Sequence, residues 1–301
     1  MQPKITCSIL CYNYGRFLPQ AIESCLAQTV DPSLYEILVI DDGSTDNTPE
    51  VCARYGDRIR VSRTSNQGFA RSLARGLEDA RGEYVAYLDA DDWWTPDKLA
   101  KILPALERGA LVVMHPLNEV DEAGAPLGNV GACGNTSSIC VHREAGLTLL
   151  PATTEIFCRP LLDGGRGEVV EECLGHYRIH GRAMTDRSPT SRHTAFFAKT
   201  THLTADRLAQ LAKAPPFWLG SSRRLARLSR AYHAEGWTMD FERHTELGEF
   251  KAYPWAGARM HLGWLRAGQF PTRRAWRLTG RAFAQLVGLK TPQAKRAASP
   301  S

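Results

Sequence analysis

The chain has 301 residues, 43% of them hydrophobic, and its 37 Lys and Arg against 32 Asp and Glu give a net charge of +5. That length supports one large domain or a domain with an appendage. No apolar run approaches the roughly 18–20 residues that cross a bilayer, and no basic stretch leads into an apolar one at the N-terminus, so a soluble, cytoplasmic protein is expected.

Residues 5–11 are β-rich and stop at the turn signal Tyr12-Asn13-Tyr14-Gly15. From 17 to 27 apolar residues recur at helical spacing. Residues 35–40 form a second strand whose continuous apolar character predicts burial on both faces. It ends at Asp41-Asp42-Gly43-Ser44-Thr45-Asp46, where Asp46 or the nearby Thr48 can cap the next helix. Residues 59–61 are a short third strand, and Asn66-Gln67-Gly68 opens a helix to about 80. A fourth strand, 84–88, stops abruptly in Asp89, Asp91 and Asp92, with Trp93 and Trp94 directly after.

If strand alternation continues past residue 88, Asp89 and Asp91 share a side. Like charges that close raise at least one pKa unless a cation lies between them, and a hard divalent ion, Mn²⁺ or Mg²⁺, is the simplest remedy. The other reading is a polar turn in which one Asp caps the next helix. Alternating strands and helices imply an α/β fold with a Rossmann-like, mostly parallel sheet, which binds ligands outside the carboxyl ends of its strands. Tyr12-Asn13, Asp41-Asp42 and Asp89-Ala90-Asp91 all fall at such ends, which favours the metal. Beyond Pro96 a helix runs to about 108, followed by a strand at 110–115, a hairpin-like loop at 121–126 and a short strand at 138–141.

Four stretches in this order and spacing resemble the nucleotide-diphospho-sugar domain of family 2 glycosyltransferases, of the GT-A fold. They are Ser8-Ile9-Leu10-Cys11-Tyr12-Asn13, Val39-Ile40-Asp41-Asp42-Gly43-Ser44, Asn66-Gln67-Gly68 and Tyr84-Val85-Ala86-Tyr87-Leu88-Asp89-Ala90-Asp91-Asp92. The resemblance implies that Tyr12 lies against the nucleobase and Asp42 accepts a hydrogen bond from it, with Asn13, Asn66, Gly68, Asp89 and Ala90 lining the nucleotide site. It makes Asp91 a metal ligand, with Asp89 near the ribose or the metal's waters and Asp92 left to a supporting role. The family's Arg-Asn pair on the third motif's helix falls on Leu73 and Ala74; Arg71 and Arg75 are close by, as phosphate contacts or as a solvated face.

Inverting transfer needs a carboxylate base for the acceptor hydroxyl. The matching stretch, 155–165, is several residues short of the family's usual helix, and Arg159 stands where the acid is expected. Asp163 is the nearest candidate and Glu155 the second; Asp163, before two glycines, reads equally as a turn residue. In the resemblance, Tyr177-Arg178-Ile179-His180 closes the transferase domain and His180 completes the metal's shell. A lone strand-end His is otherwise structural.

The eight cysteines, Cys7, Cys11, Cys25, Cys52, Cys133, Cys140, Cys158 and Cys173, form no CxxC pair, which points to buried free thiols. Residues 191–301 hold 19 Lys and Arg against 6 acids, while the remainder is net acidic. The expected organisation is a GT-A domain over 1–187, a basic α-helical extension over 188–290 and a disordered tail over 291–301. In the extension Leu225, Leu228 and Tyr232 oppose Arg223, Arg224, Arg227 and Arg230, and Leu278 and Phe283 oppose Arg273, Arg274, Arg277 and Arg281. Such helices either dock on an anionic membrane surface, at the inner face, or pack as a bundle with solvated arginines; no nucleic-acid motif is present. The expected function is metal-dependent, inverting transfer from a nucleotide-sugar, a UDP-sugar, to a glycan or lipid-linked acceptor in polysaccharide assembly. The alternative is a nucleotide-sugar-binding or scaffold protein that has lost its base.

Overall fold

The structure, a computed structural model, describes residues 2–131, 135–150, 161, 162, 164–181, 192–246 and 256–266. Two compact units are present: Met1–Ala183 with Gln210–Ser222, and Met184–Ala209 with Arg223–Ser301. The boundary expected at 187/188 and the tail expected at 291–301 lie outside the described residues.

The first unit is α/β, with a mainly parallel central sheet. Strand β1 (Ile5–Cys11) is buried at every position, as its unbroken apolar and small-residue sequence requires of a strand covered on both faces. Parallel to it run β2 (Tyr35–Asp41) and β4 (Tyr84–Asp89), with β3 (Arg60–Arg63) beyond β2. On the other side of β4, β9 (Ile139–His142) runs antiparallel to both β4 and β6 (Val112–Met114), and β10 (Gly167–Val169) forms the far edge. Helix α1 (Leu18–Leu26) buries Leu18, Ala21, Ile22 and Cys25, the stripe its helical spacing predicts. These side chains join Ile9, Val39, Leu88 and, from α4 (Lys98–Glu107), Leu99 and Ile102 in one core. Helix α3 (Phe69–Asp79) approaches the sheet closely at Gly76, where a Cβ would lie 2.6 Å from Ser8 Oγ. Helices α2 (Thr48–Ala53) and α5 (Arg143–Leu149) complete the layers.

A second sheet has the order β5 (Trp93–Trp94), β11 (Gly175–Arg178), β7 (Leu117–Val120), β8 (Pro126–Gly131). Here β11 is antiparallel to β5 and parallel to β7, and the expected loop at 121–126 is the turn of the β7–β8 hairpin. Cys7, Cys11, Cys25, Cys52 and Cys140 are free and buried; Cys133 and Cys158 lie outside the described residues.

The second unit contains α8 (Ala256–Arg266) and all but the end residues of α6 (Arg192–Leu211) and α7 (Ser222–Glu246). Ala234, Phe241, Met260 and Trp264 form its core, and the Trp264 indole donates to Thr238 Oγ1 at 3.1 Å. Leu225 and Tyr232 are buried and Arg223, Arg227 and Arg230 exposed, whereas Leu228 and Arg224, expected on opposite faces of α7, are both half-buried; the helix expected around 275–286 lies outside the described residues. Among the described residues no helix is long and apolar enough to cross a membrane.

Candidate functional site

Strand register brings the three polar endings together. Cys11 pairs with Asp41 and Leu10 with Asp89, so the residues that follow β1, β2 and β4 emerge side by side. The Asp42 N–H donates to Cys11 O at 2.9 Å and the Ala90 N–H to Leu10 O at 3.0 Å, carrying the alignment one residue past each strand.

Around β1 and β2 the arrangement is a braced turn. Asn13 takes a positive φ of 58°, tolerable for Asn, and its Oδ1 accepts from the Thr45 N–H at 2.7 Å. Asn13 therefore spends its side-chain acceptor on the turn. Gly43, at φ +77°, permits the chain to pass so close that a Cβ would meet the Asn66 nitrogen at 2.6 Å. The buried Asp42 carboxylate accepts from the N–H groups of Gln67 and Gly68, each at 2.8 Å, and so fixes the start of α3; its oxygens retain further lone pairs. The N-cap of α2 is Asn47, without a side-chain cap bond; Asp46 just before it accepts from the Thr48 N–H at 3.0 Å and the Gly15 N–H at 2.9 Å. Tyr12, the residue after β1, is 44% exposed.

The carboxylates after β4 divide into different roles. Asp91 Oδ2 lies 2.9 Å from His180 Nε2, and the imidazole is enclosed by Tyr14 and Phe17. Asp92 is buried, and each of its oxygens accepts one bond, from Ser137 Oγ at 2.5 Å and from the Arg178 N–H at 2.8 Å. Ser137 Oγ in turn accepts from the Asp89 N–H at 3.0 Å. Burial pushes the Asp89 carboxyl well up, Asp91's charge adds to this, and the Thr136 hydroxyl opposes it. Asp92 is raised for the same leading reason, with Asp91 and Asp89 adding and the Ser137 and Arg178 donors opposing.

This donor set suits a hard divalent ion. Among the described residues no three His, Cys, Asp or Glu side chains form a metal-holding group, so Asp91 and His180 would be the protein's share. Mg²⁺ and Mn²⁺ sites commonly have one or two carboxylates and leave the remaining positions to phosphate oxygens and water. A carboxylate–imidazole pair beside two carboxyls pushed upward by burial, with Asp91's charge adding to it, fits such an ion.

Several residues here carry functions the sequence did not signal. Arg178, within the Tyr-Arg-x-His stretch, donates through Nε to Asp91 O at 2.8 Å, through Nη1 to Glu122 O at 2.5 Å and through Nη2 to Gln20 Oε1 at 2.6 Å. Ser137 was hidden in a Ser/Thr-rich stretch. Arg71 and Arg75 pair with Glu78 and Asp79 on their own helix, and Leu73 and Ala74 are core. Asn66 is exposed beside Gly68 at the head of α3. Asp163 and Glu155 lie outside the described residues.

A parallel sheet whose strand ends converge on a carboxylate–imidazole pair and a braced Asp-Asp-Gly-Ser turn defines a GT-A glycosyltransferase architecture. Residues 6–128 match the model of glycosyl transferase family 2. An uncharacterized glycosyltransferase of Nostoc sp. (alr2836) is 34% identical over 230 residues, covering 64% of this chain and 70% of that protein. The chain belongs to glycosyltransferase family 2. The putative glycosyltransferase EpsH of Bacillus subtilis is 32% identical over 126 residues, 40% of this chain and 36% of EpsH. Staphylococcus aureus TarS 1–349, in a crystal structure with UDP-GlcNAc, shares the fold at TM-score 0.60 and 14% identity, over 95% of this chain and 92% of that one.

Proposed function

We propose that the protein transfers a sugar from a nucleotide-sugar, a UDP-sugar, to a hydroxyl acceptor of a growing glycan or lipid-linked carrier, with inversion at the anomeric carbon. The observation that carries this is the Asp91–His180 pair, set at the strand ends beside the Asp42 turn. Tyr12 offers a face for the base, and Asp42 an acceptor for a uracil N–H. Asp91 and His180 would hold Mn²⁺ or Mg²⁺, which when bound supplies positive charge against the leaving diphosphate. Arg178 and Ser137 keep the Asp89–Asp92 backbone in place so that the Asp91 carboxylate need not reorganise. Asp163, or Glu155 after it, would take the acceptor proton. The catalytic part is assigned to 1–187, acting in the cytoplasm, with the basic helices of 188–290 resting against the inner membrane face where a lipid-linked acceptor lies.

TarS, of the same fold, was crystallised with UDP and UDP-GlcNAc, which supports a uridine donor. A crystal structure of this protein with UDP and Mn²⁺ is the test. One ion bound jointly by Asp91 and His180, with uracil at Tyr12 and Asp42, supports the assignment; UDP bound elsewhere, or an ion held without Asp91, defeats it.

A further inference from the structure

Phe17 begins the approach to α1, and its ring carries an unusual load of charge. The Arg16 guanidinium lies 4.2 Å from the ring centroid and that of Arg178 lies 4.6 Å from it. The His180 ring, which contacts Asp91, is 5.3 Å away on the same residue. Two like charges thus sit on one phenyl ring beside the carboxylate–imidazole pair. Such a pair is unfavourable unless anions join it; here Glu122 pairs with Arg16, and the charges of Asp91, Asp92 and Asp121 favour the Arg178 cation.

The two arginines are held very differently. Arg178 is buried, and its three acceptors, Asp91 O, Glu122 O and Gln20 Oε1, are neutral, two of them backbone carbonyls. Its guanidinium is therefore a structural tie. Arg16 forms an ion pair with Glu122 Oε1 at 2.7 Å, and both side chains are half exposed, at 50% and 52%. An exposed bridge of this kind is worth about 0–1 kcal/mol and exchanges readily. A guanidinium–phosphate pair is charge-assisted and often bidentate, which makes phosphate the stronger partner. Glu122 does not depend on Arg16 for its position, because Arg178 holds its carbonyl. Arg16 is thus a cation with a weak, replaceable partner, next to the place where a diphosphate's charge would lie.

We infer that Arg16 is a donor-binding residue that exchanges the Glu122 carboxylate for the terminal phosphate of the nucleoside diphosphate. This rests on the nucleotide-sugar reading above. Glu122 is the alternate partner that keeps the guanidinium at the site between donors, and Arg178 anchors the loop throughout.

Calorimetric titration of the full chain with UDP and with UMP, in Mn²⁺, tests the exchange using wild type, Arg16→Met, Arg16→Lys and Glu122→Gln. Arg16→Met is expected to weaken UDP about tenfold or more, the range of a lost charged hydrogen bond, while leaving UMP unaffected. Arg16→Lys recovers part of the loss, and Glu122→Gln binds UDP at least as tightly as wild type. Equal losses for UDP and UMP, or none for either, would overturn the inference. So would a Glu122→Gln loss matching that of Arg16→Met, since the bridge would then be only a brace between loops. If wild type binds neither nucleotide, nor GDP and GMP, the nucleotide-sugar reading has failed and this inference with it. Wild-type UDP binding with an unaltered Arg16→Met variant defeats the inference alone.

Discussion

Asp91 and His180 meet at 2.9 Å, with the imidazole fully enclosed and the carboxylate nearly so. Strand β11 brings His180 to this point from 89 residues away in sequence, and the hydrogen bond of Arg178 Nε to Asp91 O holds the opposing backbone. The pair is thus held by contacts within the fold itself. His180→Ala should reduce Mn²⁺ affinity in the presence of UDP by about tenfold or more, on the scale of one lost ligand. Electron paramagnetic resonance of bound Mn²⁺ would show it. Unchanged affinity would remove His180 from the coordination sphere.

Ser137 links Asp89 and Asp92, so its hydroxyl supports the whole turn. Ser137→Ala leaves a buried carboxylate oxygen and the Asp89 N–H without their partner. The expected cost is about 1–3 kcal/mol in urea unfolding, with weaker nucleotide binding as well.

Gly43→Ala offers a test of the Asp42 turn. Its φ of +77° and the 2.6 Å approach to the Asn66 nitrogen both oppose a side chain. Relief requires moving Asn66, whose neighbours Gln67 and Gly68 are tied to Asp42. UDP affinity should fall in this variant, whereas Gly109→Ala, also at positive φ but in open space, should lose stability without losing affinity.

Lys98, which reaches the Ser137 carbonyl, predicts a pH dependence of stability. Its side chain is completely buried, with Nζ 3.3 Å from the Trp94 ring centroid and 3.3 Å from Ser137 O. Burial lowers its pKa from 10.5 to about 7. Between pH 7 and about 8.5 the unfolded chain therefore binds more protons than the folded one, and stability should rise with pH, by at most about 1.4 kcal/mol per unit. Above that the rise is opposed by thiols such as Cys140, raised by burial to about 12, which ionise more easily once unfolded. Lys98→Met should flatten the slope between pH 7 and 8.5; an unchanged slope would place its origin elsewhere.

The parts of this fold legible in sequence were those dictated by local pattern. Strands β1, β2 and β4 are mostly apolar because both faces are covered, and α1 carries its stripe. Asp42, Asp89 and Asp91 were visible because apolar strands ended in acids. What escaped depends on tertiary pairing. Strand β5 has two residues and exists because β11 pairs with Trp93 and Trp94. Lys98 reads as the polar opening of a helix, yet Trp94 and Ser137 enclose it. Asn13 reads as a ligand-facing residue, but Thr45 and Asp46 claim its carbonyl. The shortened stretch at 155–165 offers no pattern that selects among Asp163, Glu155 and a turn.

The most direct measurement is nucleotide release from a panel of nucleotide-sugars, UDP-sugars foremost, with Mn²⁺ and simple sugar acceptors, for wild type and Asp91→Ala. The expected result is nucleoside diphosphate released from at least one donor by wild type and loss of that release in Asp91→Ala. Absence of hydrolysis and transfer across the panel, or full activity in Asp91→Ala, would contradict it.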